Sequence, residues 1–197
     1  MTINKKTEMQ LRMLGHKGKF ETREVNGELF ISGYFAVFNS NYEFAKDMSE
    51  SIDSHAFDET INDDIRALIN HDTTYVLGRT KALTLTLRID DHGLWGDVKV
   101  NQKDSDAMNL YERVKRGDVD QCSIGFDILD EEVEYRDDGS VHWKIIKIRL
   151  YEVSVVTFPA YEETSVQARK RDLQEMNKRK IETFKNSLTK RLKGETK

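Results

Sequence analysis

The sequence is short of most features that would make its chemistry easy to read. It carries a single cysteine, Cys122, in 197 residues, so no internal disulfide can staple the chain. A single proline, Pro159, excludes proline-rich linkers. No apolar run approaches the roughly 20 residues needed to cross a bilayer, and residues Met1 to Gly18 are polar and basic without the apolar centre of a secretory signal. These absences read as a reduced, cytosolic protein with no membrane segment. The GxxxxGK, CxxC and HExxH spacings are missing as well. Nucleotide and zinc chemistry therefore drop out, and no metal or cofactor is expected.

What is present suffices for one domain and an appendage. Hydrophobic residues make up 38% of the chain, with nine Phe, seven Tyr and two Trp, enough to fill a core. Charged residues make up 34% and are unevenly placed. Residues 168–197 hold 11 Lys/Arg against 4 Asp/Glu, a net of +7, and the remainder holds 20 against 31, a net of −11. An acidic body opposes approach to phosphate, so a nucleic-acid partner is not expected.

Along the chain, residues 1–19 show no period and are expected to stay mobile. Phe20 to Val25 and Glu28 to Phe38 are β-type runs around Asn26-Gly27, a strong hairpin signal because both positions tolerate positive φ. Ser40 to Ser49 reads as a loop. The N-cap type Ser54 and the apolar spacing through Ile61 predict a short helix. Ile65 to His71 reads as a buried strand ending on a histidine. Leu83 to Ile89 and Leu94 to Val100 form a hairpin around Asp90-Asp91-His92-Gly93. Asp104 to Arg116 is the best helix of the body, with an acidic start, Met108, Leu110, Tyr111 and Val114 as its stripe, and Gly117 after it. Ile124 to Arg136 and Val141 to Arg149 pair around Asp137-Asp138-Gly139. Leu150 to Phe158 is a further strand closed by Pro159. Six to eight strands with two helices suggest an antiparallel barrel or sandwich with helices outside.

From Glu162 the character changes. Leu173, Met176, Ile181, Phe184, Leu188 and Leu192 recur among Lys and Arg, a basic amphipathic helix with no evident place in the body. The expected organisation is a segment 1–19, a domain 20–165 and a tail 166–197.

Polar residues embedded in apolar strands are the candidates for chemistry. In Asp120-Gln121-Cys122-Ser123-Ile124-Gly125-Phe126, alternation puts Cys122, Ile124 and Phe126 on one face and Ser123 and Gly125 on the other. Cys122 then belongs to packing, although a thiolate would be the better nucleophile. Ser123 has bare backbone beside it at Gly125. A strand serine is ordinarily structural, and so is a histidine at a strand end such as His71. Glu152 is harder to dismiss, because a carboxylate buried alone costs several kcal/mol. Together the three supply the roles of an acyl-transfer site: nucleophile, general base, and an acid that orients the base. Spacing leaves Asp72, Asp127 and His142 open as rival third members.

The ordered set Gly33-Tyr34-Phe35-Ala36-Val37-Phe38-Asn39, His55-Ala56-Phe57-Asp58-Glu59, Leu68-Ile69-Asn70-His71-Asp72, Leu77-Gly78-Arg79, Cys122-Ser123-Ile124-Gly125-Phe126 and Tyr151-Glu152-Val153-Ser154-Val155-Val156 with Pro159-Ala160 resembles the prohead proteases of tailed bacteriophages, over about Phe20 to Thr164. His55 departs from that pattern, in which a glycine often precedes Ala-Phe-Asp-Glu. The resemblance implies the fold of the herpesvirus capsid maturation protease, an antiparallel β-barrel flanked by helices, here with a basic helical tail added. It implies a serine endopeptidase with Ser123 as nucleophile, His71 as base and Glu152 as third member. Gly125, Gly78 and Arg79 are the candidates for the oxyanion or substrate-binding positions. The substrate it implies is the scaffold segment of the major capsid protein, or a separate scaffold protein, inside the prohead in the host cytoplasm. Self-cleavage, a portal contact and self-association belong to the same expectation. The alternative from another class is a non-catalytic capsid assembly or scaffold-binding protein.

Overall fold

Alternating apolar residues make strand the commonest regular element of the described chain. The structure is a computed structural model that describes residues 10–12, 20–158 and 162–192. Its elements run β1 (Gln10–Arg12), β2 (Glu21–Val25), β3 (Glu28–Val37), β4 (Tyr42–Ala45), β5 (Met48–Ile52), β6 (Arg66–Ile69) and β7 (Asp72–Arg79). A 3-10 turn at Thr80–Ala82 follows, then β8 (Leu85–Ile89), β9 (Gly93–Lys99), α1 (Ser105–Arg116), β10 (Gln121–Tyr135), β11 (Val141–Val156) and α2 (Glu162–Leu192).

The three turn signals close hairpins where expected. Asn26 and Gly27 both take positive φ, 53° and 79°, which matches the twist of β2 and β3. At the β8–β9 turn the Asp90 carboxylate accepts the N–H groups of His92 and Gly93. Gly139, at φ 86°, turns β10 into β11. α1 is capped as the sequence predicts: Asp104 accepts the amides of Asp106 and Ala107, and Gly117 ends the helix in the left-handed region. Ala107, Leu110, Tyr111 and Val114 form its buried stripe.

The strands make two sheets rather than one closed antiparallel barrel. The smaller, in the order β2-β3-β9-β8, is antiparallel throughout. The larger has seven strands and is mixed: β1-β10-β11-β5-β4 in line, with β6 also on β11 and β7 on β6. β11 is its axis. One edge pairs with β10, while the other receives β5 along Val141 to Ile145 and then β6 along Glu152 to Val155, both parallel. Residues from both sheets and α1 share one core, including Ile31, Phe35, Leu94, Leu110, Ile124, Phe126, Leu150 and Val153.

Three local expectations change, and one stretch that carried no expectation is strand. Ser40 to Ser49 is not loop throughout, since it supplies β4 and the start of β5. The segment from Ser54 to Ile61 is a run of turns rather than a helix. Ala56 O accepts Ile148 N–H of β11 and Thr60 Oγ1 accepts Leu150 N–H, so the segment is tied to the strand by one carbonyl a helix would use and by a side-chain hydroxyl. Leu150 to Val156 is no separate strand but continues β11 through Arg149. The chain after His71 is strand too, as β7.

At the N-terminus, residues 10–12 are ordered as β1; the rest of 1–19 lies outside the described residues, as do Pro159 and Ala160. The chain divides into a unit of residues 1–160 and a unit of residues 161–197. In the second unit, Ile181, Phe184 and Leu188 of α2 are exposed apolar side chains.

Candidate active site

Register brings the polar strand residues together. Across the β10–β11 ladder Ser123 faces Ser154 and Gly125 faces Glu152, and directly opposed residues project to the same side. Cys122, Ile124, Phe126, Val153 and Val155 take the other side and join the core. On β11's far edge, β6 sets Arg66 against Glu152 and Leu68 against Ser154.

His71 enters from a two-residue turn. Ile69 pairs with Asp72 across it, and Asn70 and His71 both have positive φ, 51° and 61°. Such φ values are costly for a non-glycine residue, so neighbours must hold the turn. Asn70 N–H donates to Val155 O at 3.0 Å, its Oδ1 accepts Thr157 N–H at 2.8 Å, and His71 N–H donates to Ser154 Oγ at 3.3 Å. The turn is thereby tied to the end of β11.

So placed, His71 Nδ1 bonds Glu152 Oε1 at 2.6 Å. Both side chains are largely buried, at 14% and 6% exposure. The other carboxylate oxygen, Oε2, accepts the Ser154 hydroxyl at 2.6 Å. Gly125 makes room for this group: a Cβ there would lie 2.4 Å from Glu152 Oε1. The carboxylate is thus laid over β10, two residues along from Ser123. A carboxylate on Nδ1 fixes that nitrogen as N–H and leaves Nε2 as the basic lone pair. Nε2 is buried without a hydrogen-bond partner. Ser123 Oγ therefore does not bond it in this form, and Ser123 is only 1% exposed.

The rivals have other partners. Asp72 is taken up by the backbone and hydroxyl of Thr74, which hold its pKa low. Asp127 accepts the Tyr151 hydroxyl at 2.6 Å. His142, near the start of β11, stands roughly 30 Å along the strand from Glu152 at 3.3 Å per residue. Its ring sits between Ser49 Oγ and Ser51 Oγ, at 2.8 and 2.9 Å. Cys122 is buried and lies against the carbonyls of Tyr34 and Phe35. Burial pushes its thiol up to about 12, which makes it a poor source of thiolate at neutral pH.

Among the glycine and arginine candidates, Gly78 pairs with Ala67 inside the β6–β7 hairpin. Arg79 grips Asp64 through Nε and Nη2, both at 2.6 Å, and this pair holds Asp64 down at about 2. Sequence reasoning missed Ser154. The only signal was its position two residues after Glu152, hence on the same face.

A sequence model of the family described as Caudovirus prohead serine protease matches residues 18–179. No curated protein sequence matches the chain. Among solved structures, the bacteriophage T4 capsid assembly protease, gp21, is similar at 12% identity with a TM-score of 0.52, covering 79% of this chain and 100% of that one. At that identity the likeness speaks for the fold.

Proposed function

Because the chain belongs to the Caudovirus prohead serine protease family through its match over residues 18–179, we propose that it is a capsid maturation endopeptidase working through Ser123, His71 and Glu152. One observation carries this reading. The 2.6 Å bond from His71 Nδ1 to Glu152 Oε1 is seated over Gly125 and leaves Nε2 uncommitted, on the strand face where Ser123 stands.

In this mechanism Ser123 Oγ attacks the scissile carbonyl carbon while His71 Nε2 takes its proton. Glu152 holds the Nδ1–H tautomer and offsets the charge of the imidazolium, and Ser154 steadies the carboxylate from its other oxygen. The tetrahedral intermediate collapses as the imidazolium returns the proton to the leaving amine. Water, activated by the same Nε2, then hydrolyses the acyl-serine. The 123–71 hydrogen bond is not made in the present form and closes by movement as substrate arrives. The oxyanion falls to the candidates Gly125, Gly78 and Arg79 in this reading; Gly125 is paired with Glu152 and Leu11, Gly78 with Ala67, and Arg79 is engaged by Asp64, so a donor must be released as substrate docks. Each such donor contributes on the order of 3 kcal/mol.

The substrate in this reading is the scaffold segment of the major capsid protein, or a separate scaffold protein, cleaved inside the prohead in the host cytoplasm; the portal is a further neighbour there. Residues 20–165 are the protease domain. The tail, 166–197, docks on scaffold through the exposed Ile181, Phe184 and Leu188 and its positive charge, and self-cleavage removes it. Proheads formed with a tail-deleted protease should contain much less of it; normal amounts would remove the tail's packaging role.

The central test compares wild type with Ser123→Ala by intact mass over time, alone and with capsid protein. Shortened chains from wild type only are the expected result. Products from both would remove Ser123 as the nucleophile, and products from neither with capsid protein supplied would leave a non-catalytic assembly or scaffold-binding role as the better reading.

A further inference from the structure

β10 has two edges at the level of Ser123. One is permanently taken by β11. The other is taken, among the described residues, by β1 alone, in the antiparallel register Gln10 with Phe126, Leu11 with Gly125 and Arg12 with Ile124. β10 runs from Gln121 to Tyr135, yet this short strand sits only at residues 124–126, beside the candidate nucleophile and over the glycine that seats Glu152.

From this we infer that β1 is a resident plug: the chain's own residues 10–12 occupy the sheet edge on which an extended peptide segment pairs when it is presented to Ser123. The inference rests on the serine reading above and adds the docking edge and its control. An extended peptide gains its main-chain hydrogen bonds by adding a strand to an exposed edge. No described strand other than β1 stands on that edge, so a peptide pairing there must displace β1.

The form described is closed in keeping with this. Ser123 is 1% exposed, so no polypeptide reaches Oγ without a rearrangement. β1 is the shortest described strand of the sheet, and a ladder of three residue pairs costs little to give up. A tethered plug acts at an effective concentration of about 1 mM, so it holds off weak, accidental peptides while yielding to a segment presented at high local density. Apparent affinity falls by the fraction of molecules with the edge open. An edge open in one molecule in ten would weaken peptide binding about tenfold.

The test uses three forms of the chain: full length, full length with Leu11→Pro, and a form lacking residues 1–17. Proline removes the residue 11 amide donor and is disfavoured in a paired strand, while the rest of the chain stays intact. A fluorescent synthetic peptide of residues 5–17 is the ligand, with Ser123→Ala in each form to prevent cleavage. A small fluorophosphonate reports separately on Ser123 reactivity in the forms that retain the serine. The expected result is that the peptide binds the Leu11→Pro and shortened forms about tenfold or more tightly than full length. It should also slow their fluorophosphonate labelling. Equal binding to all three forms, binding to none, or binding that leaves labelling unslowed would overturn the plug. Should the peptide bind the opened forms selectively while Ser123 is labelled in none, the edge docking stands and the serine mechanism falls.

Discussion

Replacing Gly125 by alanine should separate activity from stability. A Cβ at position 125 would lie 2.4 Å from Glu152 Oε1, and 3.0 and 3.1 Å from its Cγ and Cδ. Real contacts of this kind essentially never fall below 3.0 Å, so Oε1 must withdraw by roughly 0.6 to 1 Å. The bond from His71 Nδ1 is 2.6 Å, and that retreat takes it to or beyond the usual limit of about 3.2 Å. Gly125 does not have positive φ, so alanine meets no backbone strain there. What must give is the end of a flexible side chain. The melting temperature should therefore move by only a few degrees. Activity should fall much further, because in the proposed mechanism the displaced atom orients the base. Misplacement by about 1 Å costs on the order of 100-fold, and complete loss of the orienting acid about 10,000-fold. The assay is the second-order rate of fluorophosphonate labelling at Ser123, read by mass, beside thermal unfolding. Glu152→Ala and the Gly125→Ala/Glu152→Ala pair complete a double-mutant cycle. Once Glu152 is gone, Gly125→Ala should add little. Wild-type labelling in Gly125→Ala, or effects that add independently, would refute the argument that Gly125 exists to seat the carboxylate.

Three other perturbations have defined outcomes. Cys122→Ala should keep most activity and lose on the order of 1 kcal/mol of stability in chemical denaturation, from a small core cavity; inactivity with an intact fold would point to the thiol. Burial first, and Arg136 next, hold His142 below its ordinary 6.5, so the unfolded chain takes up that proton first as pH falls. The stability present above 6.5 is then lost as pH drops toward the lowered folded value, against the pull of Glu134 and Glu50 and with Lys144 adding to the loss. His142→Gln should flatten that part of the stability–pH curve, and an unchanged slope would show that other groups set it. Leu83, 84% exposed, is held at φ 56° with no packing to compensate. Leu83→Gly should raise stability by up to about 1 kcal/mol, and a drop in melting temperature would show that its side chain contributes where none is seen to.

Local chemistry was legible because its signals are short range. Asn26-Gly27, Asp90 to Gly93 and Asp137 to Gly139 each needed only a few residues to specify a turn, and the alternation at Cys122 to Phe126 separated packing from polar face without knowledge of any neighbour. The cap at Asp104 and the stop at Gly117 bounded α1 in the same way. The segment from Ser54 to Ile61 went the other way, because its carbonyl at Ala56 and hydroxyl at Thr60 accept from a strand 90 residues or more later.

The candidate site divides along the same line. The sequence by itself determined which residues could do chemistry, and the order of its motifs placed Ser123, His71 and Glu152 in one family pattern. It left Asp72, Asp127 and His142 open, because nothing in a spacing says which strands will be neighbours. Only the tertiary structure decided that. Parallel addition of β6 to β11 carries the Asn70-His71 turn to the end of the Glu152 strand, and the β10–β11 register sets Gly125, not a side chain, under the carboxylate. Parallel strand pairing joins residues remote in sequence, so its energy comes from a core assembled as a whole, and no local pattern encodes it.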